Sequence, residues 1–163
     1  MSVRQIRLFG DPVLRAVSAP ITEIDDGVRA LVRDLVDTVE LPGRAGVAAP
    51  QIGVALRAFS YNIDGDIGYV LNPELTETSG EPEPVSEGCL SVPGLWHEVM
   101  RYPHATVTGI DVDGNEIVVS GDGLIAQALQ HETDHLDGML YIHRLDPAAR
   151  RIAMREIRES SWF

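Results

Sequence analysis

His131, Glu132 and His135 are the residues whose types and spacing point most directly to chemistry in this chain of 163 residues. They form the pattern His-Glu-x-x-His within a stretch that reads as a helix, with Asp122 as its expected cap and Gly138 as its stop. Four helical residues rise about 6 Å and turn slightly more than one revolution, so both imidazoles project from one face. Two neutral imidazoles so placed can share a metal ion, and the Glu132 carboxylate can face a water bound to it. Paired histidines on a helix are more often surface or hydrogen-bonded core residues than ligands. The intervening glutamate, with apolar Leu124, Ile125, Ala128, Leu129 and Leu136 around it, favours ligation.

A catalytic site of this type needs three protein ligands and one open position, and the helix supplies two. Downstream, His143, Glu156 and Glu159 are conceivable donors. Upstream, Cys89 is chemically better suited, because a thiolate binds such an ion strongly and the ion keeps the thiol deprotonated. Cys89 is the only cysteine, which excludes an internal disulfide. A third stretch, Gly46–Gly53, has small residues at Gly46, Ala48 and Ala49 that permit close approach to the backbone. Gln51 adds an amide that donates and accepts.

The elements that must position these groups are legible in outline. Val28, Leu31, Val32, Leu35, Val36 and Val39 recur at helical spacing over residues 25–40, with Asp25 or Asp26 as cap. Residues 54–61 and 67–72 read as two strands joined by a turn at 62–66, and residues 106–112 and 116–119 as a hairpin through Asp113-Gly114. Between them, Glu74, Glu77, Glu81, Glu83 and Glu87 lie among Pro and Gly and predict a solvated loop. Residues 6–14 predict an extended arm leading into a turn, and Asp146-Pro147 opens a final helix to about Ser160. Strands with hairpin connections around long helices make the fold class α+β, and no repeat or linker divides residues 1–163.

Composition narrows the function. The net charge of −12 argues against a general nucleic-acid binder, and DNA is excluded as a partner. All 13 basic residues are arginine. No apolar run is long enough to span a membrane, and the segment Met1–Arg7 lacks the apolar core of a signal peptide, so a cytoplasmic protein is expected.

GVAAPQIG at Gly46–Gly53, EGCLS at Glu87–Ser91 and QHETDHLDG at Gln130–Gly138, in that order, make the chain resemble the peptide deformylase family over about residues 4–145. Leu71–Glu74 and the turn at Asp111–Gly114 add to the likeness. The resemblance implies antiparallel sheets packed around a central metal-binding helix, with a C-terminal helix. It implies that Cys89, His131 and His135 bind one divalent metal ion, Fe(II) in the cell, with zinc, nickel or cobalt as substitutes. Glu132 would be general base and then general acid, and Gln51 and the Leu90 backbone N–H would hold the oxyanion. Gly46 and Gly88 would offer backbone groups to an N-formylmethionyl nascent peptide.

Finer expectations accompany it. The methionine pocket is expected to be lined by Val47, Leu124 and Ala128, with Gln127 at a polar rim. Arg101 is expected either to contact the peptide or to pair with Glu87 or Asp134, themselves candidates to orient the histidines. His97 and His104 read as ordinary surface or strand residues. Val47 stands where the family more often has Leu, and Arg44 where it often has Gly, which bears on the mouth of the cleft. The Arg150–Arg158 cluster reads as a solvated helix face, with ribosome contact as a hypothesis, and the chain is expected to be a monomer. A different third ligand, a different formylated amine and a catalytically silent metal-binding relative remain as alternatives.

Overall fold

The computed structural model describes residues 3–163; Met1 and Ser2, where the N-terminal segment read above begins, lie outside it. Five antiparallel strands form one sheet in the order β1-β2-β3-β6-β7: β1 (Gly46–Ala48), β2 (Ala58–Ile63), β3 (Asp66–Ser79), β6 (His104–Ile110) and β7 (Glu116–Asp122). The remaining two, β4 (Glu83–Cys89) and β5 (Val92–Arg101), pair as a separate hairpin. Three helices complete the fold: α1 (Asp26–Val39), α2 (Leu124–Leu136) and α3 (Pro147–Glu159).

The pleat of the sheet decides what each face covers. Successive side chains of a strand point to opposite faces. Val47, Ala58 and Leu71 accordingly join the core under α1, while their neighbours Ala48, Phe59 and Val70 join the core under α2. The sheet is thus sandwiched between α1 and α2. A third core, built from Leu14, Val92, Val99, Leu140, Tyr141, Ile142 and Ile157, joins the β4–β5 hairpin to α3. This is the expected α+β arrangement, with α2 at its centre and α3 at its end.

Caps set the outer helices as the sequence predicts. Asp25 accepts from Val28 N at the start of α1, and Asp146 accepts from Ala149 N ahead of Pro147 in α3. Helix α2 departs from expectation at its start. Its N-cap is Gly123, at φ 68°, while Asp122 ends β7 and its carboxylate faces His104 Nδ1 at 2.6 Å. The β7–α2 junction turns too sharply for a residue with a side chain, so the glycine takes the cap. At the other end Gly138 follows α2 at φ 76°, and Met139 N–H returns to Asp134 O.

The acidic stretch is a second departure. It is not a loop: β3 runs to Ser79 and β4 starts at Glu83, so only residues 80–82 connect them. Register shifts between Leu71 and Glu74 and between Leu75 and Glu77 interrupt the alternation, and Pro73 falls within the first. Glu74, Glu77 and Glu83 are exposed. Charged outer faces and bulges erased the period-two signal.

The arm at 3–11 links the two motifs that precede α2. Arg7 N–H donates to Gln51 O at 2.7 Å and Phe9 N–H donates to Ser91 O at 2.8 Å. Further on, Asn72 (φ 48°) clamps the chain at Ile21, donating to its carbonyl at 2.9 Å and accepting from its N–H at 2.8 Å. None of the described helices is long and apolar enough to cross a membrane. Replacement Asn72→Ala removes both bonds and puts at positive φ a residue that tolerates it less well than Asn; urea unfolding is expected to show a loss of about 2 kcal/mol.

Candidate metal centre and active site

Helix α2 buries six consecutive polar residues, Gln130 to His135, which is costly unless each is engaged. Most are. Glu87, on β4, receives His131 Nδ1 at 2.7 Å and a two-pronged contact from Arg101, Nε at 2.9 Å and Nη2 at 2.6 Å. Arg101 also donates from Nη1 to Asp134 at 2.9 Å, and Arg144 closes the network on both Asp134 oxygens at 2.6 and 2.7 Å. Burial alone would push the Glu87 carboxyl up, but the His131 and Arg101 contacts overcome it and hold the group at about 2. Glu87 is therefore a carboxylate that fixes the His131 ring and leaves Nε2 facing inward.

Three donors converge at that inner side. His131 Nε2 lies 3.2 Å from His135 Nε2, and Cys89 Sγ lies 3.4 Å from His135 Nε2. All three donor atoms fall within 4.8 Å of one another, the one such group of three among the described residues. Ligand bonds of about 2.0–2.1 Å to nitrogen and about 2.3 Å to sulfur, at tetrahedral angles, require separations near these. Two imidazole lone pairs this close repel unless a proton or cation lies between them. Burial first, and the neighbouring His131 second, push His135 well below the ordinary histidine value, which keeps it neutral and able to ligate. The donor set fits a divalent transition ion of the zinc or iron type.

Beside the donors, Glu132 Oε2 is 3.9 Å from His131 Nε2, and Oε1 is buried without a hydrogen-bond partner. Burial raises this carboxyl to about 7, against the opposing pull of His131. Gly46 is required here, since a β-carbon on it would stand 2.5 Å from Glu132 Oε2. Gln51 is oriented by Ala48 N–H, which donates to Oε1 at 2.9 Å. Its Nε2 then donates to Ser91 Oγ at 3.1 Å and faces Cys89 Sγ at 3.7 Å.

A cavity of about 390 Å³ opens onto these groups, within the range of small-ligand sites. Gly46, Gln51, Gly88, Cys89, Leu90, His131 and Glu132 border it. Leu124 and Ala128 line it as expected, Gln127 lies on its edge and donates to Ser86 O, and Arg44 stands at its mouth. Trp96, missed in the sequence, packs its ring on Gly88 and adds an exposed aromatic wall.

Two expected pocket residues lie elsewhere. Val47 is fully buried in the α1 core, because the pleat of β1 turns it away from the face that carries Gly46 and Ala48. Arg101 is 3% exposed and held by Glu87 and Asp134, so it does not reach a peptide. Of the downstream alternatives, His143 accepts at Nδ1 from Leu140 N–H and faces Arg15, while Glu156 faces His97; neither joins the donor group. Sequence reasoning gave no role to Ser91, Arg144 or Tyr141; Ser91 had a signal in its place two residues after Cys89, and the other two had none.

Comparison with known proteins gives one consistent result. The profile of the family described as Polypeptide deformylase matches residues 3–151. A peptide deformylase of Acidothermus cellulolyticus is 49% identical over 162 residues, covering 99% of this chain and 89% of the relative. Peptide deformylase 1 of Corynebacterium efficiens is 43% identical over 167 residues, covering 100% and 99%. Among solved structures, a peptide deformylase from Legionella pneumophila superposes with TM-score 0.89 at 37% identity, covering 96% of this chain and 94% of its own. One from Ehrlichia chaffeensis, in complex with actinonin, superposes with TM-score 0.89 at 31% identity, each chain covered in full at 100%.

Replacing Arg101 by Ala takes the only arginine from buried Glu87 and one of two from Asp134. Denaturant unfolding is expected to show a loss of about 3–5 kcal/mol, against less than about 1 kcal/mol for Arg4→Ala at the exposed Arg4–Asp34 pair.

Proposed function

The chain belongs to the polypeptide deformylase family, hydrolases that deformylate nascent peptides, and from that membership we propose a residue-level mechanism for the site. One observation carries it: Glu132, whose buried Oε1 has no hydrogen-bond partner, borders a cavity that Cys89 and His131 also line, and His135 completes their donor group. In this reading Cys89, His131 and His135 hold one divalent ion, Fe(II) in the cell. When bound, the ion would supply a Lewis acid and lower the pKa of water toward about 7.

The protein's own groups do the rest. Glu132 takes the proton from the attacking water and returns it to the departing amine; a carboxyl raised to about 7 by burial suits both roles. The Gln51 amide, locked by Ala48 and Ser91, and the Leu90 backbone N–H donate to the oxygen of the tetrahedral adduct. Gly46 and Gly88 present backbone groups to the peptide. Leu124, Ala128 and Trp96 provide apolar walls for the methionine side chain, with Gln127 at the rim. The products are formate and a free α-amine.

Residues 1–163 act in this reading as one catalytic domain, a cytoplasmic monomer that meets chains as they emerge. Arg151, Arg155 and Arg158 are exposed on α3 and give it a cationic face suited to ribosomal phosphate. Charge reversal at these three arginines is expected to abolish cosedimentation with ribosomes; unchanged cosedimentation would remove that contact.

Formate release from a formyl-Met tripeptide tests the chemistry. Glu132→Gln is expected to keep the metal and lose about 10²–10⁴ in kcat. Gly46→Ala, which displaces the same carboxylate, is expected to fall alongside it. Activity within a few-fold of the parent in Glu132→Gln would refute the role of Glu132, and a parent that releases no formate would refute the reading.

A further inference from the structure

As a refinement of the metal-dependent hydrolase reading, on which it rests, we infer that His97 is a positioning residue for the reaction centre. It ties Glu156 of α3 to Tyr141, whose ring stands behind the His131 imidazole. His97 Nδ1 meets Tyr141 Oη at 2.7 Å, and His97 Nε2 meets Glu156 Oε1 at 2.9 Å. The Tyr141 and His131 rings are nearly parallel, 24° apart with centroids at 6.5 Å. Tyr141 is the largest fully buried side chain of the protein, and His97 is the one hydrogen-bond partner of its hydroxyl among the described residues.

The hydrogen-bond roles run in one direction. The Glu156 carboxylate can only accept, so His97 Nε2–H donates to it, and in the neutral ring Nδ1 is left to accept from the Tyr141 hydroxyl. Both ring nitrogens are used, which fixes the tautomer and the rotamer together. Tyr141 also opens the short 3-10 turn Tyr141–Arg144, whose other end is pinned to α2 by the Arg144–Asp134 pair. His131 is thus bonded at Nδ1 by Glu87 and neighboured by a near-parallel tyrosine ring that α3 anchors through His97.

Positioning, not bulk stability, is what the test reads. Cobalt(II) replaces the native ion, and loss of cobalt to a chelator is timed by its thiolate absorption band. His97→Ala is expected to release cobalt about 3- to 10-fold faster, less than the 10–100-fold effect of a residue bonded directly to a ligand. With formyl-Met tripeptide, kcat is expected to fall by a similar factor while KM stays within about twofold. His97→Asn retains an acceptor for Tyr141 but loses the link to Glu156, and is expected to fall between the parent and His97→Ala. Tyr141→Phe should reproduce His97→Ala, and the double variant should be no worse than either alone, because both remove one link. Cobalt release unchanged in His97→Ala, or effects that add in the double variant, would overturn the inference. Because cobalt release needs no substrate, a parent without formate release would count against the hydrolase reading alone.

Discussion

His131 Nε2 and His135 Nε2 stand 3.2 Å apart in the fully buried half of α2, residues 128–136, and the rest of the molecule follows from holding them there. Neutral lone pairs this close do not coexist at rest without a cation or proton between them. A thiol arriving from a different part of the chain completes a donor group that could hold one ion. Each donor also has to lose water, so the surroundings must supply substitutes for the hydrogen bonds given up.

The substitutes form a ladder of alternating charge. Glu87, Arg101, Asp134 and Arg144 follow one another with every contact at 2.9 Å or less, reaching from the hairpin across α2 to the turn that follows it. Such a network adds little net stability over an apolar core, yet breaking one link leaves a buried charge alone. Its value here is geometric. It fixes one imidazole, aligns the hairpin that carries Cys89, and leaves Glu132 as the buried carboxylate without a cationic partner of its own. The small residues of β1 then bring backbone to that carboxylate at a distance no side chain would permit.

Much of this was legible in the sequence, for identifiable reasons. Helix α1 announced itself through apolar spacing and the cap Asp25, and α3 through the pair Asp146-Pro147. The donor trio was legible because His-x-x-x-His fixes a helical face, and the third donor followed from thiolate chemistry and from resemblance. Other features depend on tertiary relations that leave no local mark. The strand β3 was read only over residues 67–72; its continuation to Ser79 was hidden by exposed glutamates and two register shifts. Val47 reads as pocket lining until β1 is known to be a strand whose pleat turns it away. Arg101 reads as a ligand for a peptide until Glu87 and Asp134 are known to flank it. His97 and Tyr141 carry no signal at all, because their pairing joins elements far apart in the chain.

The most direct measurement is X-ray absorption at the metal edge of anaerobically purified protein, combined with metal stoichiometry. One ion per chain is expected, with one sulfur at about 2.3 Å and two nitrogens at about 2.0–2.1 Å, the remaining scatterer being light. A first shell without sulfur, or a chain that retains no ion when purified under those conditions, would contradict the shared-cation account.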